Sequence, residues 1–281
     1  MNRLHRALQR AVPRSVTFSA LMRARVAKYQ ARLLPHGPLD VLRQVALFMV
    51  AYYAYRLVRG AIDDPNGTAL AFQHARDLIS IERSLGIFVE PAVNAWTDNS
   101  TFLTAFSSWV YMNAQFSVTV GALIYIYLRH NENFYFVRNM FMVAMGIALV
   151  GYALFPTAPP RLMPEWGFVD SVSVYSGVSH DNVAVTALFN PYAAVPSMHI
   201  AFSLMIGIPL SLLAKWRFVK IFWALYPLLV FFVIVSTANH FIADAFLGLT
   251  TALAAAYAAS WLARVRPRVW AFDRPEKIVS I

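Results

Sequence analysis

The chain contains no cysteine, which excludes disulfides, thiolate nucleophiles and cysteine-bound metals, and leaves the redox compartment open. Charge is scarce as well, at 14% of residues, where ordinary soluble domains carry about 25%. Apolar residues fill the gap: 59% of the 281 residues are hydrophobic and mean hydropathy is +0.52. A soluble globule could not hide this much apolar surface, and a disordered chain would not carry it. The composition therefore indicates an integral membrane protein. Acids are scarcer than bases, 14 Asp+Glu against 24 Lys+Arg, for a net charge of +10. In a soluble protein that excess would suggest nucleic acid. In a membrane protein it reports orientation and anionic headgroups, so no nucleic-acid partner is expected.

Five long apolar runs have the length a bilayer requires, roughly 17–25 residues: Thr101–Leu128, Asn139–Phe155, Val195–Ala214, Ile221–Ala238 and Phe241–Ala263. A sixth, Leu39–Val58, carries Arg43 and Arg56 near its ends, where long side chains can snorkel to the headgroups. The expected fold is an all-α, six-helix membrane bundle over residues 39–264, with a basic arm at 1–38 and a basic tail at 265–281. Eight Lys or Arg and no acid lie in residues 1–36, and Arg264, Arg266, Arg268, Arg274 and Lys277 lie after the last run. Loops 60–100 and 156–194 are poor in basic residues. The positive-inside rule then puts both termini in the cytoplasm and those two loops outside, in a cytoplasmic membrane.

The arm lacks the apolar core and cleavage site of a signal peptide, and reads as basic helices on anionic lipid or as a basic tail that enforces topology. Residues 69–85 mix Leu70, Phe72, Leu78, Ile79, Ile81 and Leu85 with charged residues, as an amphipathic interfacial helix does.

Three clusters lie at the outward ends of the spans. In the first, Phe155-Pro-Thr-Ala-Pro-Pro-Arg161, the prolines stop the helix and present Arg161, the one basic residue of its loop. A guanidinium there suits bidentate capture of phosphate, or it pairs with a headgroup or with Glu165. The second is Asn190-Pro-Tyr-Ala-Ala-Val-Pro-Ser-Met-His199, with Pro196 where a helix can begin and Ser197 near its first turn, an anion-friendly position. The third is Thr237-Ala-Asn-His240-Phe-Ile-Ala-Asp244. His240 and Asp244, four apart, share a helical face, and Asp244 is the sole carboxylate inside the five strong runs. Asp244 can accept the Nδ1–H of His240 and raise the basicity of the other nitrogen. The spacing of the histidines is not that of a zinc site.

These residues resemble the type 2 phosphatidic acid phosphatase superfamily. Its motif P-S-G-H matches Pro196-Ser-Met-His199 with Met198 for Gly, and its H-x-x-x-D matches His240 and Asp244. The Arg of its third motif is replaced by Ile234. In the first motif Leu154 stands at the Lys position and Leu162 at the Pro. The branch resembling inositol phosphorylceramide synthases fits better, through F-P-T-x-P-P-R, N-P-Y-A-A-x-P-S-x-H and G/A-N-H-x-x-x-D.

The resemblance covers about residues 40–264. It implies a phosphohistidine on His240 oriented by Asp244, with His199 as general acid and base. Arg161, Ser197 and Asn239 would bind the phosphate, with no metal or cofactor. His180 could add charge in the outer loop, and roles for Glu82 and Glu90 are open. The expected activity is lipid phosphotransfer at the outer leaflet from a phospholipid or prenyl-phosphate donor to an alcohol, such as inositol, or to water. Water as acceptor gives a lipid phosphatase. A small proton-coupled transporter built on Asp244, His199 and His240, or a scaffold with a decayed site, are the readings from other classes.

Overall fold

The computed structural model describes residues 36–61, 67–176 and 192–271, together with positions 22, 23, 25 and 34. Most of the basic arm, His180, Asn190 and the tail beyond residue 271 lie outside the described residues. The chain divides into two compact units, residues 1–50 and 51–281. Helix α1 (Pro38–Ala61) crosses the division. Its first turn carries Asp40, which accepts a hydrogen bond from Gln44 Nε2 at 3.0 Å.

The second unit continues with α2 (Gly67–Ser84), α3 (Glu90–Asp98), α4 (Thr101–Arg129) and α5 (Asn131–Leu154). Two short 3₁₀ turns, Pro160–Leu162 and Pro164–Trp166, lead to α6 (Ser171–Ser176). Helices α7 (Met198–Leu213), α8 (Arg217–Ser236), α9 (Ile242–Val265) and α10 (Pro267–Ala271) complete it. Among the described residues there is no strand, only an isolated bridge between Thr157 and Ala193. Among the described residues four helices are long and apolar enough to cross a membrane: α1 over Pro38–Val58, α5, α8 and α9. This is a membrane-embedded protein, and a bilayer admits helices because each satisfies its own backbone polar groups.

The boundaries differ from expectation for local reasons. The run expected from Asn139 begins at Asn131, so Arg138 lies inside α5 rather than in a loop. Its buried guanidinium bonds Asn139 Oδ1 at 2.7 Å and the Trp270 carbonyl, and sits 5.2 Å from the Tyr135 ring centre. That arrangement ties α5 to α10. The run expected at Val195–Ala214 narrows to the 16 residues of α7, because Val195–Ser197 stay non-helical.

Helix α2 forms where an amphipathic helix was expected, but its buried stripe is Ala71, Ala75, Leu78, Ile79 and Glu82. Leu70, Ile81 and Leu85, expected on the apolar face, are exposed. The stripe packs on Ala158, Met163, Phe168, Val195, Ala238 and Phe241, which belong to the turns carrying the three motifs.

Close packing beneath those turns depends on small residues, the usual device where apolar burial gives helices no net drive to associate in lipid. A Cβ on Gly248 of α9 would collide with the Ser197 carbonyl oxygen. One on Gly151 of α5 would lie 2.6 Å from Pro196 Cδ, and one on Gly207 of α7 would lie 2.6 Å from the Trp223 carbonyl. Both α9 and α5 therefore press against the entry of α7. Gly248→Ala is expected to destabilise the protein by about 1–3 kcal/mol, the usual cost of overpacking. Thermal unfolding in detergent should show a lowered Tm, whereas an unchanged Tm would refute the close approach.

Candidate active site

The three sequence motifs meet at one end of the second unit. Phe155 caps α5, and Pro156, Pro159 and Pro160 prevent the helix from continuing. The released segment is pinned at each step. His74 of α2 stacks on Phe155 with ring centres 3.9 Å apart, and its Nδ1 lies 2.7 Å from the Pro156 carbonyl. Thr157 N–H donates to the Tyr192 carbonyl at 2.7 Å, Ala158 N–H to the Ala71 carbonyl at 3.1 Å, and Arg161 N–H to the Ala238 carbonyl at 2.7 Å.

The turn between α8 and α9 receives Arg161. Ala238 has φ +53°, a left-handed conformation that a residue with a Cβ adopts only under strain, and strain of this kind clusters where neighbours over-determine the backbone. The strained turn brings Asn239 beside the arginine. Arg161 Nη1 donates to Asn239 Oδ1 at 2.6 Å, while Asn239 Nδ2 donates to the Thr237 carbonyl and to Thr237 Oγ1, both at 3.0 Å. Asn239 was expected to bind phosphate. Both of its donor bonds end on Thr237, and what it does in the structure is aim Arg161. Asp170, rather than Glu165, is the acid nearest the guanidinium, with Oδ2 3.9 Å from Nε, and that buried Nε has no hydrogen-bond partner.

His240 precedes α9 instead of lying in its first turn. The helix starts at Ile242, with Phe241 as its N-cap and Asp244 in its first turn. The expected pairing forms nonetheless, because Asp244 turns back over the helix start. Its Oδ2 accepts from Phe241 N–H at 3.0 Å and lies 3.3 Å from His240 Nδ1. On the far side of the ring, His240 Nε2 is 3.2 Å from His199 Nδ1. From these partners we assign the Nδ1–H tautomer to His240, leaving a lone pair on Nε2. The His199 ring, on the first turn of α7, is stacked on Tyr111 of α4 with centres 4.7 Å apart.

Ser197 is the N-cap of α7. Its backbone N–H is taken by the Asp244 carbonyl at 3.1 Å, so the expected anion contact from that group is not free. Its hydroxyl is buried and has no hydrogen-bond partner. A buried unpaired hydroxyl costs about 1–3 kcal/mol, which an incoming oxygen acceptor would recover.

Sequence reasoning missed Asn94 among the supports of the site and left Glu82 and Glu90 open. Asn94 of α3 donates to the Ser236 carbonyl at 2.8 Å and accepts from Val169 N–H at 2.9 Å, joining the end of α8 to the segment before α6. Glu82 and Glu90 bond the backbone at the start of α9. For Glu82 a signal existed: it lies four residues after Leu78 and seven after Ala75, on the buried stripe of α2.

A family model of the PAP2 superfamily matches residues 76–258, and the chain belongs to that superfamily, whose members are phosphatases and phosphotransferases acting on phosphate-containing substrates. No curated protein and no solved structure matches it.

Arg161 is held beside Asn239, the residue before His240, and the unpartnered Ser197 hydroxyl lies two residues before His199, so an oxyanion between the histidines has a cation and a donor to test for. Orthovanadate is expected to raise the Tm of the protein in detergent, by mass action on the folded state. Arg161→Ala should weaken that stabilisation about tenfold or more, as loss of a charge-assisted bond does, and Asn239→Ala should weaken it less. Equal stabilisation of all three proteins would show that the anion binds elsewhere.

Proposed function

We propose that this protein is a six-span membrane enzyme that transfers a phosphate or phospho-headgroup from a lipid donor to an alcohol or water at the outer leaflet. The observation that carries the reading is the hydrogen-bonded series Asp244–His240–His199, with Arg161 held beside it through Asn239 and the Ala238 carbonyl. Asp244 fixes His240 with its Nε2 lone pair on the far side, toward His199, which makes that nitrogen the nucleophile. His199 is the general acid and base.

In the first step His240 Nε2 attacks phosphorus and the phosphorus–oxygen bond to the donor breaks. His199 gives the leaving alkoxide its proton, and a phosphohistidine remains. In the second step His199 takes the proton of the acceptor hydroxyl, whose oxygen attacks phosphorus. The nitrogen–phosphorus bond then breaks and His240 returns to its starting form. For phosphorus to approach Nε2, the contact between the two imidazoles must open, and Tyr111 gives the His199 ring a face against which to move. Arg161 and the Ser197 hydroxyl stabilise charge on the non-bridging oxygens, which is usually the largest electrostatic contribution to such a transfer. Phosphate neutralisation rests on Arg161, since Ile234 and Leu154 stand where the superfamily pattern has further basic residues.

The basic excess at both termini supports a cytoplasmic location for them, and so an active site on the outer side. The N-terminal arm then meets anionic lipid at the cytoplasmic face. The closer likeness to the inositol phosphorylceramide synthase branch favours an alcohol acceptor over water.

Purified protein in nanodiscs, given phospholipids and prenyl phosphates with or without inositol, glycerol or ceramide, tests the reading by mass spectrometry of products. Turnover is expected on at least one donor. His240→Ala and Asp244→Asn should each lower it at least about a hundredfold. Unchanged turnover in both variants would refute the assigned roles.

A further inference from the structure

Three carboxylates converge on the first turn of α9, each accepting a different backbone N–H. Asp244 takes Phe241 at 3.0 Å, Glu90 takes Ile242 at 2.9 Å and Glu82 takes Ala243 at 2.7 Å. None of the three has any exposed surface. The second oxygens of all three are buried and receive no hydrogen bond from a protein donor. A helix N-terminus is equivalent to roughly half a positive charge. It can balance one buried carboxylate in part, but not three.

The neighbouring basic groups are already engaged: Arg161 with Asn239 and, more distantly, Asp170, and the neutral His240 with Asp244 and His199. Holding three bare negative charges here would carry a large desolvation cost that no paired cation offsets. The chemistry that relieves this is a proton between two of them. Glu82 and Glu90 come from separate helices onto the adjacent N–H groups of Ala243 and Ile242, which makes them the pair, with Asp244 left to serve His240.

We propose that Glu82 and Glu90 form a one-proton acid pair that clamps the start of α9 and thereby positions His240 and Asp244. The pair acts through the backbone. Ile242 and Ala243 directly follow the His240–Phe241 segment, so fixing their N–H groups fixes where the histidine leaves the turn. Helices α2 and α3 thus act as a brace on the catalytic turn. Burial foremost, then the hydrogen bond to Glu90, and last the charges of Glu90 and Asp244 raise the Glu82 carboxyl from the usual 4.5 to about 9, against the lowering effect of the Ala243 N–H. The titratable groups around it are Glu90 from α3 and Asp244 from α9, with His240 beyond Asp244 and the Arg161–Asp170 pair in the adjoining turns.

The sign of the linkage follows from a folded-state value above the unfolded one. The stabilisation is fully present below about 4.5 and is lost progressively as pH rises toward about 9.

The test uses full-length protein in detergent and compares wild type with Glu82→Gln, Glu90→Gln and Glu82→Ala. Glutamine reproduces a protonated glutamate: its oxygen accepts the backbone N–H and its NH₂ donates to the partner, with no proton to lose. Across pH 5 to 9.5 the wild-type Tm should fall, and in Glu82→Gln the fall should be visibly shallower. A slope unchanged by Glu82→Gln would overturn the proposal. This readout needs no substrate, so it stands even if the phosphotransfer reading fails.

The kinetic readout rests on that reading. Each single Gln variant should keep turnover within about threefold of wild type at pH 7, with its alkaline limb moved upward, while Glu82→Ala loses about a hundredfold or more. Gln variants as inactive as the alanine variant would mean that a charged carboxylate is required, and would overturn the shared proton. Should Glu82→Ala not fold, the comparison of Gln variants with wild type decides the matter alone.

Discussion

The site depends on what one residue, Asp244, holds in place. Its Oδ2 accepts from Phe241 N–H and from His240 Nδ1, and its carbonyl accepts from Ser197 N–H. One residue therefore terminates the turn that carries His240, sets that histidine's tautomer and docks the entry of the helix that carries His199. A carboxylate is costly to bury, and the helix start offsets part of that cost. Asp244 can do all of this because Gly248, one turn further along α9, lets the Ser197 backbone approach. A residue with a side chain at 248 would separate the two histidines, although neither would be changed.

The rest of the end cap follows from holding that turn. Ala238 accepts a left-handed backbone so that Asn239 can face Arg161. The prolines of the α5 exit keep that arginine out of α5 and leave it in a short 3₁₀ turn. Small residues of α2 bring a buried stripe close enough for Glu82 to reach the α9 backbone. The proposed phosphate chemistry needs cationic charge held without flexibility. Here it is held by backbone contacts and one asparagine, where the superfamily pattern would supply further basic residues.

Much of this was legible in the sequence, and its limits have physical causes. Apolar length located the helices, since a bilayer fixes that length, but it misjudged their ends. Arg138 looked like a loop charge and is instead a buried cation whose partners, Asn139 and the Trp270 carbonyl, include one contributed by distant sequence. His240 and Asp244 were legible because four-residue spacing implies contact, even though His240 proved to lie before the helix. Asn239 was read as a phosphate ligand because its partners, Thr237 and Arg161, become visible only when the turn is built. The roles of Glu82 and Glu90 stayed open for a different reason. Burial of an acid depends on partners distant in sequence, and only the tertiary contact with the start of α9 shows the two buried.

The most direct test of the account is to trap the covalent intermediate. Protein in nanodiscs would be incubated with a ³²P-labelled lipid phosphate donor, quenched with base, and divided between mild acid and base before the label is counted on the polypeptide. The account predicts label that is stable to base, released by acid, mapped to His240 and absent from His240→Ala. Turnover of the same donor with no label on His240, or label undiminished in His240→Ala, would contradict it.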